Sequence, residues 1–276
     1  MGHLLANYHT HNRLCNHAVG NCEDYVKKAI ELNMEEIGLT DHGPIPQDFM
    51  PKEDYENNLC YRNMTFDQFQ NVYLKEIKDV KEKYSNKIKI YSGLECEYVD
   101  GKDEYYKNLL SHLDYLNLGV HFFQDSNNKI INSYHCIDYT NVMEYANACV
   151  RAMKTGLFKI LVHPDLFMFD YKNKDGKREF DEAAINATHT ILDCAKELGI
   201  YVEINVNGLA NSRKYNSSSW LYPFKDFWKI AKTYEGLKII VGADAHNPES
   251  LDSEDIDSIK KFIKDMDLNV LDKVEW

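Results

Sequence analysis

The chain has 276 residues, 44% of them hydrophobic, enough for one large core in the size range of an α/β barrel, and a single domain spanning 1–276 is expected. Its 32 basic and 44 acidic residues leave a net charge of −12, spread along the chain; this opposes binding to long nucleic acid but not to a small anion drawn to bound cations. Seven scattered cysteines without a C-x-x-C pair, a quickly polar N-terminus and no apolar run of the ~20 residues a membrane span needs argue against a secreted disulfide scaffold and a membrane partner, so a cytoplasmic protein is expected.

In chain order, short β-rich runs alternate with segments of helical periodicity. The first strand, L-L-A-N-Y-H at 4–9, runs into His9 and His11, with His17 close behind, and a helix follows from Glu23 to Leu32. E-E-I-G-L-T-D-H at 35–42 ends in Asp41 and His42. The connection from Pro44 to Asn63 is long for its kind and reads as a lid or pocket wall, with Phe49, Tyr55 and Tyr61 packing on substrate or on the barrel. A helix is expected from Thr65 to Tyr84, then I-K-I-Y-S-G-L-E at 88–95, ending in Glu95, and Y-L-N-L-G-V-H at 115–121, ending in His121. After a helix from Asn141 to Thr155, F-K-I-L-V-H at 158–163 ends in His163. A helix from Asp181 to Leu198 precedes I-Y-V-E-I-N at 200–205, which carries Glu203 and Asn205. Last come L-K-I-I-V-G-A-D at 237–244, ending in Asp244 with His246 just beyond, and a helix from Ser253 to Met266.

Seven strand-then-helix units imply parallel strands with helical crossovers, closed as a barrel or spread as an open sheet. No G-x-G-x-x-G follows the first strand, which removes the main support for a dinucleotide fold. In a barrel all the strand C-termini open on one rim, so the histidines and carboxylates that end the strands would converge there. His-x-His in an extended chain puts both imidazoles on one side. Neutral imidazole with carboxylate suits Zn, Mn or Fe, whereas magnesium and calcium prefer oxygen. Seven strand-end histidines with Glu95 and Asp244 exceed one ion's capacity and point to two or three divalent metal ions, one pair bridged by a carboxylate. Glu97, two beyond Glu95, is a weaker alternative ligand, and Glu203 and Asn205 are read as second-rank groups behind the ligands or as substrate contacts. His3, His112, His135 and His189 keep a structural or solvated reading.

Taken together, Y-H-T-H-N-R-L-C-N-H-A, G-L-T-D-H-G-P, S-G-L-E-C-E-Y, G-V-H, V-H-P-D, V-E-I-N-x-N-G-L and G-A-D-A-H resemble, in order and over nearly the whole chain, the polymerase-and-histidinol-phosphatase (PHP) superfamily, and within it the stand-alone histidinol-phosphatase branch. The resemblance implies a distorted TIM-like (β/α)7 barrel of the α/β class with a trinuclear metal site at the C-terminal rim of the strands. One metal would take His9, His11, Glu95 and Asp244, with Glu95 bridging to a second held by His121 and His163. The third would take His17, His42 and His246.

The chemistry this predicts is hydrolysis of a small phosphate monoester by a hydroxide bridging two cations, with L-histidinol phosphate, a small phosphorylated metabolite of histidine biosynthesis, as the expected substrate. Asp165 is the candidate proton donor, with loop capping its structural alternative. Glu203, Asn205 and Asn207 are candidates for the amino end of the substrate. Relatives commonly carry a basic residue shortly after the H-x-D stretch. Here H-P-D-L-F-M-F-D-Y-K has none before Lys172, and Arg213 and Lys214 are the candidate phosphate grip. The rival readings are a phosphoesterase for another small ester or nucleotide, an amidohydrolase-type C–N hydrolase, and a metal-binding protein without turnover.

Overall fold

The computed structural model describes residues 3–49 and 62–276. β1 (Ala6–Asn7) leads to α1 (Cys22–Glu31), whose start is fixed by a capping box in which Asn21 and Asp24 exchange side-chain-to-backbone bonds. β2 (Glu36–Leu39) is followed by a helical run that begins at Phe66–Gln68, passes through a π-helical turn at Phe69–Tyr73 and continues as α2 (Leu74–Tyr84). Then come β3 (Lys89–Cys96), α3 (Asp103–Leu110), β4 (Tyr115–Leu118), a hairpin of β5 (Phe122–Gln124) and β6 (Ile130–Asn132), and α4 (Val142–Lys154). The chain continues with β7 (Ile160–Leu161), α5 (Glu182–Leu198), β8 (Tyr201–Asn205), α6 (Asn207–Lys214), α7 (Lys225–Ala231), β9 (Ile239–Gly242) and α8 (Glu254–Met266).

Seven strands lie in the order β1-β2-β3-β4-β7-β8-β9, all pairs parallel. Beyond the strand ends, His11 N–H donates to Ala245 O at 2.8 Å and Ala245 N–H to His9 O at 3.3 Å, so the first and last strands meet. The sheet is thus a nearly closed seven-strand parallel barrel, wrapped by amphipathic helices such as α1, which buries Tyr25, Val26 and Ala29, and α5, which buries Ile191, Leu192 and Ala195.

Alternation along the strands divides the barrel lumen into a floor and a site. On β3, Tyr91, Gly93 and Glu95 are spaced two apart, as are Tyr115 and Asn117 on β4 and Tyr201, Glu203 and Asn205 on β8. Tyr8, Tyr91, Tyr115, Tyr201, Ile160, Val162 and Ile240 fill the N-terminal end as a packed cluster, and the polar members of each series rise above it. Tyr115 fits because Gly38 and Gly93 leave room: a Cβ at Gly93 would lie 2.6 Å from its ring. The C-terminal segment crosses beneath this floor, with Trp276 stacked on Tyr91 at 4.0 Å between ring centroids.

The sequence pattern assigns no element to the antiparallel β5–β6 hairpin, α3, α6 or α7, and it places Arg213 and Lys214 in a loop, whereas both lie on α6. Three-residue strands around D-S-N-N-K are too short to show a period, and α3 and α7 span only two turns each.

Candidate metal centre

The C-terminal strand ends bring His9, His11, His42, Glu95, His121, His163 and Asp244 into one buried cluster, with His17 and His246 at its outer edge. Glu95 stands at the centre. Its Oε1 lies 2.8 Å from His163 Nε2 and 3.4 Å from His121 Nε2. Its Oε2 lies 3.4 Å from His9 Nε2, 3.3 Å from His11 Nε2 and 3.2 Å from His42 Nδ1. The two oxygens therefore face two different sets of imidazoles, the position a bridging carboxylate occupies. A glycine opposite makes this approach possible, since a Cβ at Gly119 would sit 2.4 Å from Glu95 Oε1.

Five compact donor groups occur among the described residues: His9, Glu95 and His163; His9, His11 and Asp244; His42, Glu95 and His121; His11, His42 and His246; and His11, Cys15 and Asp41. In each, one ligand atom per residue lies within 4.8 Å of the others. His17 stands outside them, but its Nε2 is 3.1 Å from His246 Nε2.

The far nitrogens of several rings are anchored, which fixes what the near ones offer. His9 Nδ1 donates to Glu203 at 2.8 Å, His121 Nδ1 to Glu97 at 2.8 Å, His17 Nδ1 to Cys15 O at 2.7 Å and His246 Nδ1 to Asp244 O at 3.0 Å. These partners can only accept, so the proton sits on Nδ1 and the Nε2 lone pair points inward. His9 Nε2 and His11 Nε2 are then 3.1 Å apart. Two ring nitrogens this close need a proton or a cation between them.

The carboxylates carry the same signature. Glu95 Oε2 and Asp244 Oδ1 are buried without a hydrogen bond, although His11 Nε2 approaches Asp244 Oδ1 to 2.9 Å, outside hydrogen-bond geometry. Unpaired buried carboxylate oxygens are costly. His163 and Asp244 also hold left-handed backbone angles, φ 33° and 49°, strain of the kind found at functional sites. This nitrogen-and-oxygen donor set fits zinc, manganese or ferrous iron and has room for more than one ion.

Burial penalises charge on every ring here, but the neighbours decide the outcome. His17 and His246 are pulled down to about 4 and about 3, chiefly by burial, and stay neutral near pH 7. Burial also opposes charge on His11 and His9, yet Asp244 and Asp41 push His11 up to about 9, and Glu203, Asp244 and Glu95 hold His9 well above the usual imidazole range. Against the same burial, His121, His9 and His42 keep Glu95 well below the usual carboxylate range.

The cluster floors a cavity of about 750 Å³. Asn207 and Lys214 line it, Asn207 donating to Asp244 Oδ2 at 3.2 Å. Other expected substrate groups lie elsewhere. Glu203 and Asn205 are buried behind the imidazoles, Glu203 holding His9 and accepting from Asn205 at 2.8 Å. Arg213 turns to a smaller neighbouring cavity, where both guanidinium nitrogens pair with Asp255 at 2.6 Å. Asp165 is wholly buried away from the cavity lining. Its Oδ2 accepts from Phe224 N–H at the start of α7 and from Trp228 Nε1, so the capping alternative describes it, though burial raises its pKa to about 7. Glu97 orients His121 instead of facing the donor groups.

Of the long connection, Phe49 packs with Ile45 and Val99, while Arg62 and Asn63 line the cavity; Tyr55 and Tyr61 lie outside the described residues. Sequence reasoning passed over Arg62, a loop residue with no motif, and Tyr134, stacked on His121 with 10° between ring planes. His135, read as structural or solvated, also lines the cavity.

A protein-family model described as "PHP domain" matches residues 7–207. A "Probable histidinol-phosphatase" of Deinococcus radiodurans is 26% identical over 264 residues, covering 94% of this chain and 92% of the relative. The "Histidinol-phosphatase" of Bacillus subtilis is 23% identical, covering 86% and 92%. Among solved structures, the histidinol phosphate phosphatase of Lactococcus lactis, complexed with zinc, L-histidinol and phosphate, superposes with a TM-score of 0.68 at 19% identity, covering 96% of this chain and 95% of that one. At that identity the likeness speaks for the fold.

Proposed function

This chain belongs to the PHP domain family, as a metal-dependent phosphoesterase, and from that premise we propose that it hydrolyses a small phosphate monoester, with L-histidinol phosphate the first substrate to try. The observation that carries the reading is Glu95, whose two oxygens each face a separate set of imidazoles at the floor of an open cavity. In this reading His9, His11, Glu95 and Asp244 hold one cation, Glu95, His121 and His163 a second, and His17, His42 and His246 a third. When bound, such ions supply Lewis acidity toward phosphoryl oxygens and lower the pKa of water.

The chain's own residues do the positioning. Glu203 and Glu97 lock the tautomers of His9 and His121, and the carbonyls of Cys15 and Asp244 lock those of His17 and His246. Arg62, whose charge bears on both His17 and Tyr134 and which lines the same cavity, is placed to hold an outward phosphoryl oxygen, the role first given to Arg213. Residues 1–276 act in this reading as one catalytic domain. The relatives' names favour histidinol phosphate.

A second reading, another small phosphate ester or a nucleotide, is favoured by the cavity's charge. Among the described lining residues the carboxylates are Glu95 and Asp244, within the metal cluster, and Glu97, whose Oε1 is taken by His121, so outside the proposed ligands an ammonium-bearing substrate finds one carboxylate oxygen, Glu97 Oε2. A phosphate-release screen on metal-loaded protein, with histidinol phosphate beside a dozen other monoesters, tests both. Release that a chelator abolishes and zinc or manganese restores is expected. Fully loaded protein that releases phosphate from none of them would contradict the reading.

A further inference from the structure

We propose that the substrate of this site is a phosphate monoester whose alcohol carries a flat ring and, beyond the ring, a second anionic group held by Lys214. The inference rests on the monoesterase reading above and deepens it. The cavity is polarised along its length. At the inner end lies the donor cluster, and Arg62, an exposed side chain, lines the same cavity. From there an aromatic wall leads outward: Tyr134 meets Phe169 at 5.1 Å between centroids, and Phe169 meets Tyr215 at 5.2 Å. Tyr215 is 51% exposed, a large aromatic side chain left partly open to solvent on the cavity lining.

Lys214 closes the series, with Nζ 5.6 Å from the centroid of the Tyr215 ring. α6 starts at Asn207, in contact with Asp244, and ends at Lys214, with Tyr215 as its C-cap. Seven residues at the helical rise separate the backbones of these two by ~10 Å. With its Nζ over Tyr215, Lys214 stands at the far end of this helix from the donor cluster, where the phosphate being cleaved has its place. That separation matches a group across one ring. Neither Arg62 nor Lys214 forms an ion pair among the described residues, whereas Arg213 on the same helix is fully engaged by Asp255. A cavity of about 750 Å³ also exceeds what an amino alcohol phosphate fills, and falls in the range that holds drug-sized ligands.

Three esters with one leaving-group geometry test this on metal-loaded protein: benzyl phosphate, 4-carboxybenzyl phosphate and 4-(aminomethyl)benzyl phosphate. The carboxyl ester should exceed the aminomethyl ester about tenfold in kcat/KM, mostly through KM, as expected for one partly screened charge contact changing sign. Lys214→Gln should collapse that ratio toward one and Lys214→Glu should invert it. The matching non-hydrolysable phosphonates, titrated calorimetrically, should show the same order in Kd. A preference for the aminomethyl compounds, or a ratio that Lys214→Glu leaves unchanged, would overturn the inference. If none of the three esters is hydrolysed, the phosphonate affinities still decide the subsite, and the wider phosphate-release screen decides the monoesterase reading.

Discussion

The two ends of the barrel are built from the same strands and treat polar groups in opposite ways. At the N-terminal end, tyrosines carry their hydroxyls to fixed partners: Tyr8 donates to Glu36 at 2.6 Å and accepts from Val274 N–H at 3.2 Å, Tyr115 donates to Tyr8 O at 2.9 Å, and Tyr201 accepts from Glu275 N–H at 2.8 Å. Only the Tyr91 hydroxyl lacks a partner among these. At the C-terminal end, Glu95 Oε2, Asp244 Oδ1 and His163 Nδ1 are buried and unpaired, imidazole nitrogens of His9 and His11 face one another at 3.1 Å, and two residues hold left-handed backbone. A protein that satisfies one end of its lumen and leaves the other unsatisfied has a stabilising floor and a site waiting for positive charge.

Substitutions should separate the two ends. Asp244→Ala or His9→Ala is expected to lower phosphate release on the order of 10³-fold, with elemental analysis showing lost metal and circular dichroism showing an intact fold. Tyr115→Ala, by contrast, should cost ~3–5 kcal/mol in denaturant unfolding while the folded fraction keeps its metal content. Zinc or manganese at a hundred times its dissociation constant should stabilise the wild type by about 2.7 kcal/mol, seen as a higher Tm. A floor substitution such as Trp276→Ala should keep that increment and His9→Ala should lose it. Glu203→Gln, which touches no proposed ion but holds His9, should weaken metal binding by about 10–100-fold; unchanged affinity would detach Glu203 from the site.

The smallest effect is on protons. His11, pushed up to about 9, and His9, also raised well above the usual imidazole range, are held in the charged form at neutral pH, so metal binding must release protons. Apparent metal affinity should therefore climb from neutral pH toward about 9. The contribution of His11 to metal-free stability is full below the unfolded imidazole pKa and fades as pH rises through about 9. Proton uptake on binding, measured calorimetrically in buffers of different ionisation enthalpy, would contradict this.

The strands and their terminal donors were legible in the sequence because both follow from period-two alternation and local composition. Each of the seven strands appears where its β-rich run stands, and α4 and α5 begin and end within a residue of their periodic segments. What stayed hidden depends on neighbours distant in sequence. Nothing local says that Asp255 will capture Arg213, that α7 will take the carboxylate of Asp165, or that Glu203 will stand behind His9 instead of in the cavity. Glu97 was half visible, since its spacing from Glu95 puts both on one strand face, but its choice of His121 as partner is tertiary.

Anomalous diffraction from crystals grown with manganese or zinc tests the central claim most directly. The account predicts two or three anomalous peaks inside the cluster, at least two of them flanking Glu95, and their loss in Glu95→Gln at that bridge. Crystals with ions bound elsewhere on the molecule and no anomalous density among these histidines would contradict it.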